Sequence, residues 1–320
     1  MPEILATTAT NFDKSLTDLV IRTLEQEVRP TLPWVRECIP ARFVPGTNNT
    51  MRFLRVEDMS VVTGTPTPGV KPWLTEGVTP AAEDLDFGYE EFSANQAGRI
   101  LKLTDLAIQR WSGELMAIAT EKITRNAAAT ADKRVADVVL AGTNVIYAGT
   151  SNVNTDEVAA GDVVTSYVIR KAVASLKADG VATFGDGSYH AIINPNVVFD
   201  IQGDEAVGGW LDAQKYGGTQ ALFTGEIGKY AGVRFIESAN APVKAGSGTT
   251  SIDVYSTTVF GPGAFVFGDW NTIQSFYTPP GGPGDELHQR SSVGWKGNYG
   301  ALLLEEVVPR YIRIESASGL

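Results

Sequence analysis

Cysteine and histidine are nearly absent. The 320 residues include one cysteine, Cys38, and two histidines, His190 and His288. A single thiol excludes an intrachain disulfide and fits assembly in a reducing cytosol. So few nitrogen and sulfur ligands, in no ligand spacing, exclude a recognisable zinc site. No metal or other cofactor is expected. Long apolar runs are also missing, and nothing approaches the ~18 residues that a membrane helix needs. The opening stretch, MPEILATTATNFDK, has neither a basic n-region nor an apolar h-region, so no signal peptide is expected. Positive charge is in deficit: 26 Lys and Arg stand against 37 Asp and Glu, a net charge of -11. Such a chain is poorly steered onto nucleic acid, whose phosphates reward a positive surface. It suits a protein that stays soluble, or one that encloses DNA without sticking to it. Repeats, heptads and low-complexity segments are absent as well.

What is present is a 43% apolar composition, enough for the core of one large domain or two ordinary ones. Phe12 to Val28 reads as an amphipathic helix, with Phe12, Leu16, Leu19, Val20, Leu24 and Val28 at three- and four-residue spacing. Asn11 can cap it, and Pro30 and Pro33 end it. It is either a surface helix on its own domain or a terminal arm on a neighbouring subunit. Two strand-like runs follow, Met51 to Glu57 and Leu85 to Phe92. In the second, Leu85, Phe87 and Tyr89 alternate with Asp86, Gly88 and Glu90, which predicts one buried face. Between them lies VVTGTPTPGVKPWLTEGVTPAAED, longer than compact domains usually hold without a function. It carries Trp73, Leu74 and Val78, apolar side chains that suit either a partner surface or a flap on the same domain.

The strongest helical pattern starts at a Thr104 cap with Asp105 in the first turn, and stops at Gly142. A continuous run of about 30–36 residues spans roughly 45–55 Å, more than a compact domain's width. Gly113 can bend or split it. Leu115, Ile118, Ala119, Lys122, Ile123, Val135, Val138 and Val139 form its predicted stripe. A second amphipathic helix covers Val163 to Ala178, with Gly180 as its stop. SYHAIINPNVVFD reads as a strand, then Pro195, then a short helix. VRFIES, SIDVYSTTVF and AFVFGDW read as short strands, and the middle block as α+β. Val293, Trp295, Tyr299, Ala301 and Leu303 give a long strand with one apolar face, and RYIRIES gives another strand.

Chemical motifs fail on inspection. GEIGKYAG, Gly225 to Gly232, has a glycine-lysine pair, but a P-loop needs a glycine five positions before Gly228, where Phe223 stands. Tyr230 follows Lys229, and a strand follows where a helix should. Gly225, Gly228 and Gly232 therefore read as backbone geometry at a helix-to-strand corner, with Lys229 a solvated charge. DELHQRSS holds triad residue types in Asp285, His288, Ser291 and Ser292, yet no G-x-S-x-G elbow exists. Cys38 lacks an activating base, and Glu90-Glu91 and Glu305-Glu306 point to opposite faces of strands. No catalytic residue is assigned.

Five segments carry a resemblance: LTEGVTPAAEDLDF (74–87), LKLTDLAIQ (101–109), AIINPNVVFDI (191–201), GEIGKYAGVRFIES (225–238) and HQRSSVGWKGNYGALLLEE (288–306). Together, from about residue 50 onward, they resemble major capsid proteins of tailed bacteriophages, most closely the phage N4-type coat-protein family. The resemblance implies an α+β, HK97-like fold. Residues 1–50 would be the N-arm and the start of the peripheral domain, with inter-subunit contacts at Phe12, Leu16 and Leu19. Residues 51–95 would be the E-loop and its strands, with contacts at Lys71, Trp73, Leu74, Glu76 and Val78. Residues 96–161 would carry the spine helix of the peripheral domain, 162–283 the axial domain, and 284–320 strands returning to the peripheral domain. The protein would form hexamers and pentamers of an icosahedral shell around double-stranded DNA, built in the host cytoplasm. Scaffolding, portal and decoration proteins would be separate partners. Some members crosslink subunits through a lysine, but no partner for Lys71 is evident and no crosslink is predicted. Alternatives are an encapsulin-like compartment and a cytosolic α+β hydrolase using Ser291 or Ser292 with His288.

Overall fold

The computed structural model describes residues 33–43, 50–56, 87–110, 115–149, 151–204, 228–281, 285–304 and 309–320. Outside them lie the expected N-terminal helix with Phe12, Leu16 and Leu19, the proline-rich loop with Lys71, Trp73, Leu74, Glu76 and Val78, and also Gly113 and Gly225.

Helix α1 (Pro33–Glu37) leads into strand β1 (Ile39–Arg42). Strands β2 (Thr50–Val56) and β3 (Phe87–Ser93) pair antiparallel as a ribbon, Thr50 opposite Ser93 and Val56 opposite Phe87. Both strands match the sequence reading, but the buried face does not. Phe87 and Tyr89 are 55% and 54% exposed. The opposite face is the covered one, where Phe92 packs with Met51, Phe53, Phe43 and Val266. Alternation defines two faces of a strand without saying which will find a partner.

Strand β4 (Asn95–Thr104) runs into α2 (Asp105–Arg110), where Thr104 Oγ1 accepts the Ala107 N–H at 3.3 Å as the cap. Helix α3 (Leu115–Ala141) has 27 residues, about 40 Å of axis. The sequence reading of one continuous run from Asp105 passes through residues 111–114, which lie outside the described residues. The buried row of α3 is Ala119, Ile123, Ala127, Ala131, Val135 and Val139, every fourth residue. Ile118 and Lys122, read as part of the stripe, are exposed. Small alanine side chains let the helix lie close on its sheet, so they and not Ile118 mark the contact.

Strand β5 (Val145–Tyr147) precedes α4 (Ser166–Ala178). The Gly180 stop is a Schellman end: the Val181 N–H reaches the Leu176 carbonyl at 3.0 Å and Gly180 has φ +73°. Strand β6 (Tyr189–Ile193) gives way to α5 (Pro195–Gln202), capped by Asn194 Oδ1 accepting from the Asn196 N–H at 3.0 Å. Then come β7 (Lys229–Tyr230), β8 (Val233–Glu237), β9 (Val243–Lys244), β10 (Val254–Phe260), β11 (Phe265–Thr278), β12 (Arg290–Leu303) and β13 (Tyr311–Ser316).

Among the described residues these strands form the β2–β3 ribbon and two larger sheets. One has the order β1-β11-β12-β4; the other has β5-β13-β10-β6-β8-β7, with β9 beside β10. The sheets do not divide the chain at 162 and 283. β11, read as short and within the middle block, has 14 residues and pairs along β12. β13, read as returning with β12, instead joins β10 and β5, with Ile314 opposite both Thr257 and Ile146.

Both faces of the seven-stranded sheet are covered. On one, Ile169 and Leu176 of α4 and Ile201 of α5 pack against Ala191, Val233 and Ile314. On the other, Ile192, Phe260 and Tyr311 meet Trp34 of α1 and Val135 and Val139 of α3. That cluster continues to Phe265, Ala301 and Leu303, so it joins the two sheets. The predicted apolar face of β12 is real: Val293, Trp295 and Tyr299 pack on Ile123, Ala127 and Ala131.

Candidate assembly surfaces

The residues with catalytic potential are not brought together. His288 Nδ1 lies 3.2 Å from the Pro280 carbonyl oxygen, while Ser291 is buried and its hydroxyl has no hydrogen-bond partner. Asp285 accepts the backbone N–H groups of Gly281, Gln289 and Arg290 at 3.2, 3.0 and 2.9 Å. Burial works to raise its pKa, but these bonds and the Arg290 cation outweigh it and hold the carboxyl below its usual range. The arrangement closes a turn and does not align a nucleophile. Cys38 is buried, its thiol donating to the Trp34 carbonyl at 3.1 Å. Burial first, then the Asp132 and Glu37 charges, push that thiol far above its ordinary pKa, so it stays protonated. His190 stacks on Phe184, ring centroids 3.8 Å apart, with Nδ1 2.7 Å from Glu37 Oε2. Among the described residues no group of three His, Cys, Asp or Glu could hold a metal, and no helix is long and apolar enough to cross a membrane.

The glycine-rich stretch is described from Gly228 onward, where Gly228 and Gly232 take the positive φ expected of turn glycines. The helix side of the expected corner lies outside the described residues. Lys229 and Tyr230 form the first arm of a hairpin, opposite Arg234 and Val233. Ala231 (φ +52°) and Gly232 (φ +82°) make its two-residue turn, and Gly228 (φ +62°) precedes it. Lys229 is not merely solvated. Its Nζ donates to the Asp186 carbonyl at 3.0 Å and pairs with the Asp186 carboxylate at 3.1 Å. The Ser188 hydroxyl and this lysine hold the Asp186 pKa well below the usual carboxylate range.

Sequence reasoning missed the buried polar ties. Asp132, within the apolar face of α3, accepts the Trp34 N–H at 2.9 Å and the Asn240 side-chain amide at 3.2 Å. Arg313 of β13 donates to the carbonyls of Val139 and Leu140, at the end of α3. A cation there meets the negative end of the helix dipole, in a last turn with no basic residue of its own. Arg313 also pairs with Glu315 at 3.0 Å, and Lys244 meets Glu315 at 2.6 Å. The one available signal was RYIRIES, whose charges alternate with isoleucines as on a solvated strand. Both faces of β13 are buried.

Part of the exposed surface of the described residues is apolar. On the outer face of the ribbon, Leu54 is 71% exposed and pairs across the strands with Tyr89, next to the Val56–Phe87 pair. Arg52 lies on the same face, 2.9 Å from Glu91 and 4.8 Å from the centre of the Tyr89 ring. Such a surface is built to be covered. In sequence the ribbon strands flank the expected loop, which lies outside the described residues.

A family model described as phage capsid protein matches residues 89–307, more than half of the chain. The chain belongs to the phage capsid protein family. The capsid protein has no match among curated proteins. Solved structures carry the likeness in fold. The capsid of the cyanophage P-SCSP1u superposes with a TM-score of 0.65 at 15% identity, over 89% of this chain and 88% of that one. The capsid of Ralstonia phage GP4 gives 0.63 at 14% identity, over 87% and 86%. A structure from Mycobacterium phage Che8 gives 0.61 at 18% identity, over 84% and 85%. The capsid protein therefore has the HK97-like fold, and its place is the virion capsid.

Proposed function

We propose that this capsid protein self-assembles into hexamers and pentamers of an icosahedral head that encloses double-stranded DNA without reading its sequence. Within its family we place it with the N4-type coat proteins, on the five segments quoted above. The observation that carries the assembly reading is the family match over residues 89–307, on a chain whose ribbon leaves Leu54, Phe87 and Tyr89 exposed. In this reading residues 1–50 hold the N-arm, with Phe12, Leu16 and Leu19 on a neighbour. Residues 51–95 hold the E-loop, with Lys71, Trp73, Leu74, Glu76 and Val78 as its contacts. The seven-stranded sheet with α4 and α5 is the axial domain, and α3 with the four-stranded sheet is the peripheral domain. Scaffolding, portal and decoration proteins are separate chains, and no catalytic step is assigned.

Electron microscopy of the purified protein tests this reading. Closed particles with hexamers and pentamers are expected, and a subunit monomeric under all assembly conditions would sink it. Nucleic acid inside particles from infected cells, rather than a cargo enzyme, separates a head from an encapsulin-like compartment. Deleting Thr65 to Ala82 should leave a folded subunit that assembles poorly. Normal assembly of that deletion would overturn the loop assignment.

A further inference from the structure

Helix α3 and the edge strand β4 enclose an open cleft of about 480 Å³. Asn95, Ala97 and Arg99 line it from alternate positions of β4, and Lys133 and Arg134 from the helix. Its only carboxylate, Asp137, is already paired with Lys133 at 3.2 Å. Arg99 and Arg134 form no ion pair with any described residue. In a chain of net charge -11, the cleft reverses the local sign. It therefore attracts an anion where most of the surface repels one.

A second observation is independent of charge. Tyr299 stands in the wall of the cleft, 4% exposed, and its hydroxyl has no hydrogen-bond partner. Buried hydroxyls are rarely left unpaired, so this one is free to hydrogen-bond a group that reaches it. Burial raises its pKa to about 12, although the Arg134 cation works to lower it, so the phenol keeps its proton. Asn126, also in the wall, commits its side-chain oxygen to Trp295 Nε1 at 3.1 Å, which leaves only its NH2 for a ligand. Arg99 and Arg134 are donors only, and the Asn126 NH2 and the Tyr299 hydroxyl can donate as well. They come from the sheet, the helix and the wall between them. Guanidinium groups supply paired N–H donors for an oxyanion.

We propose that this cleft binds a phosphoryl oxyanion, held by Arg99 and Arg134 with the Tyr299 hydroxyl and the Asn126 amide as neutral donors. The oxyanion is a free phosphate or a phosphodiester of nucleic acid; the recognising chemistry is shared.

The experiment is calorimetric titration of the full-length protein with inorganic pyrophosphate, and fluorescence anisotropy with a short DNA duplex. The wild type should bind pyrophosphate, and pyrophosphate should raise its unfolding temperature. Arg99→Gln with Arg134→Gln should weaken that binding by about tenfold or more. Both residues are exposed, so circular dichroism should show the variant folded. Tyr299→Phe should weaken binding several-fold without lowering the unfolding temperature, since the hydroxyl it removes has no partner. Lys171→Gln with Lys177→Gln, two exposed charges on α4, should change nothing. If the duplex also binds, and the arginine variant lowers the salt slope by about 0.9 for each phosphate it no longer neutralises, nucleic acid is the source. Pyrophosphate binding without duplex binding identifies a free phosphate. Absence of both, or binding that survives the arginine changes and falls with the lysine changes, overturns the proposal.

Discussion

Asp132 is a carboxylate within the apolar face of a long helix, and its position explains both its cost and its use. It sits between two packed layers and ties the Trp34 backbone and Asn240 to α3. Burial raises its pKa, and the hydrogen bonds from Asn240, Trp34 and Val35 only partly offset this. A carboxyl with a raised folded pKa favours folding most in acid. That contribution is fully present below the unfolded pKa and is lost as pH rises through the raised folded value. Asp132→Asn keeps an acceptor for the Trp34 N–H and removes the titration. Thermal unfolding midpoints from the usual carboxylate pKa to neutrality should therefore fall for the wild type and stay flatter for the variant. Parallel curves would show that Asp132 does not set the trend. Gly142 shows a different constraint. A Cβ there would overlap the Tyr311 hydroxyl and lie 2.7 Å from Leu303, so the glycine is required by close approach. The sequence marked Gly142 as a helix stop, but only the neighbouring strand explains why no side chain fits.

At the scale of elements, the β2–β3 ribbon separates folding from assembly. Its inner face, with Phe92, belongs to the subunit core, and its outer face, with Leu54, Phe87 and Tyr89, does not. Leu54→Ser with Phe87→Ser should leave the unfolding free energy of the unassembled subunit within the ~0.5 kcal/mol typical of surface changes. The same variant should sediment mainly as unassembled protein where the wild type forms particles. Wild-type assembly by this variant would show that the ribbon face is not an interface. The two strands were legible from composition and alternation, and their pairing with each other came from the tertiary structure. Their facing was not legible, because Leu85, Phe87 and Tyr89 alternate as well for a partner subunit as for a core. Helix α3 gives the converse case. Its existence and its stop were legible, while its contact row was carried by alanines that hydrophobicity ranks below Ile118.

At the scale of the whole molecule, charge and architecture act together. Each subunit carries a net charge of -11, and neighbours in the proposed shell repel one another. Raising ionic strength to about 0.15 M shortens the screening length to about 8 Å. Assembly at fixed protein concentration, followed by light scattering, should therefore increase with salt from low ionic strength. A decrease would mean that complementary charge pairs between subunits outweigh the net repulsion. Two sheets share one cluster, in which Phe260 and Phe265 meet at 4.9 Å across the turn from β10 to β11.

The sequence by itself determined what depends on near neighbours. Thr104 as a cap, Gly180 as a Schellman stop, Asn194 before Pro195 and the two-residue alternation of β12 all follow from local backbone geometry, which residue type encodes directly. The order of the five quoted segments was enough to point to a family. Only the tertiary structure decided which strands share a sheet. β11 and β13 exchange the places expected from chain order because strand pairing is chosen by long-range packing, which no local period records. The same holds for Arg313 at the end of α3 and for the cleft beside Tyr299. GEIGKYAG shows the boundary within one stretch. Its residues excluded a phosphate loop, but the hairpin turn at Ala231 and Gly232 and the Lys229–Asp186 pair exist only because β8 and the loop before β6 lie beside it. The donors proposed to hold a phosphate converge from α3, β4 and β12 instead, where sequence spacing gave no sign of them.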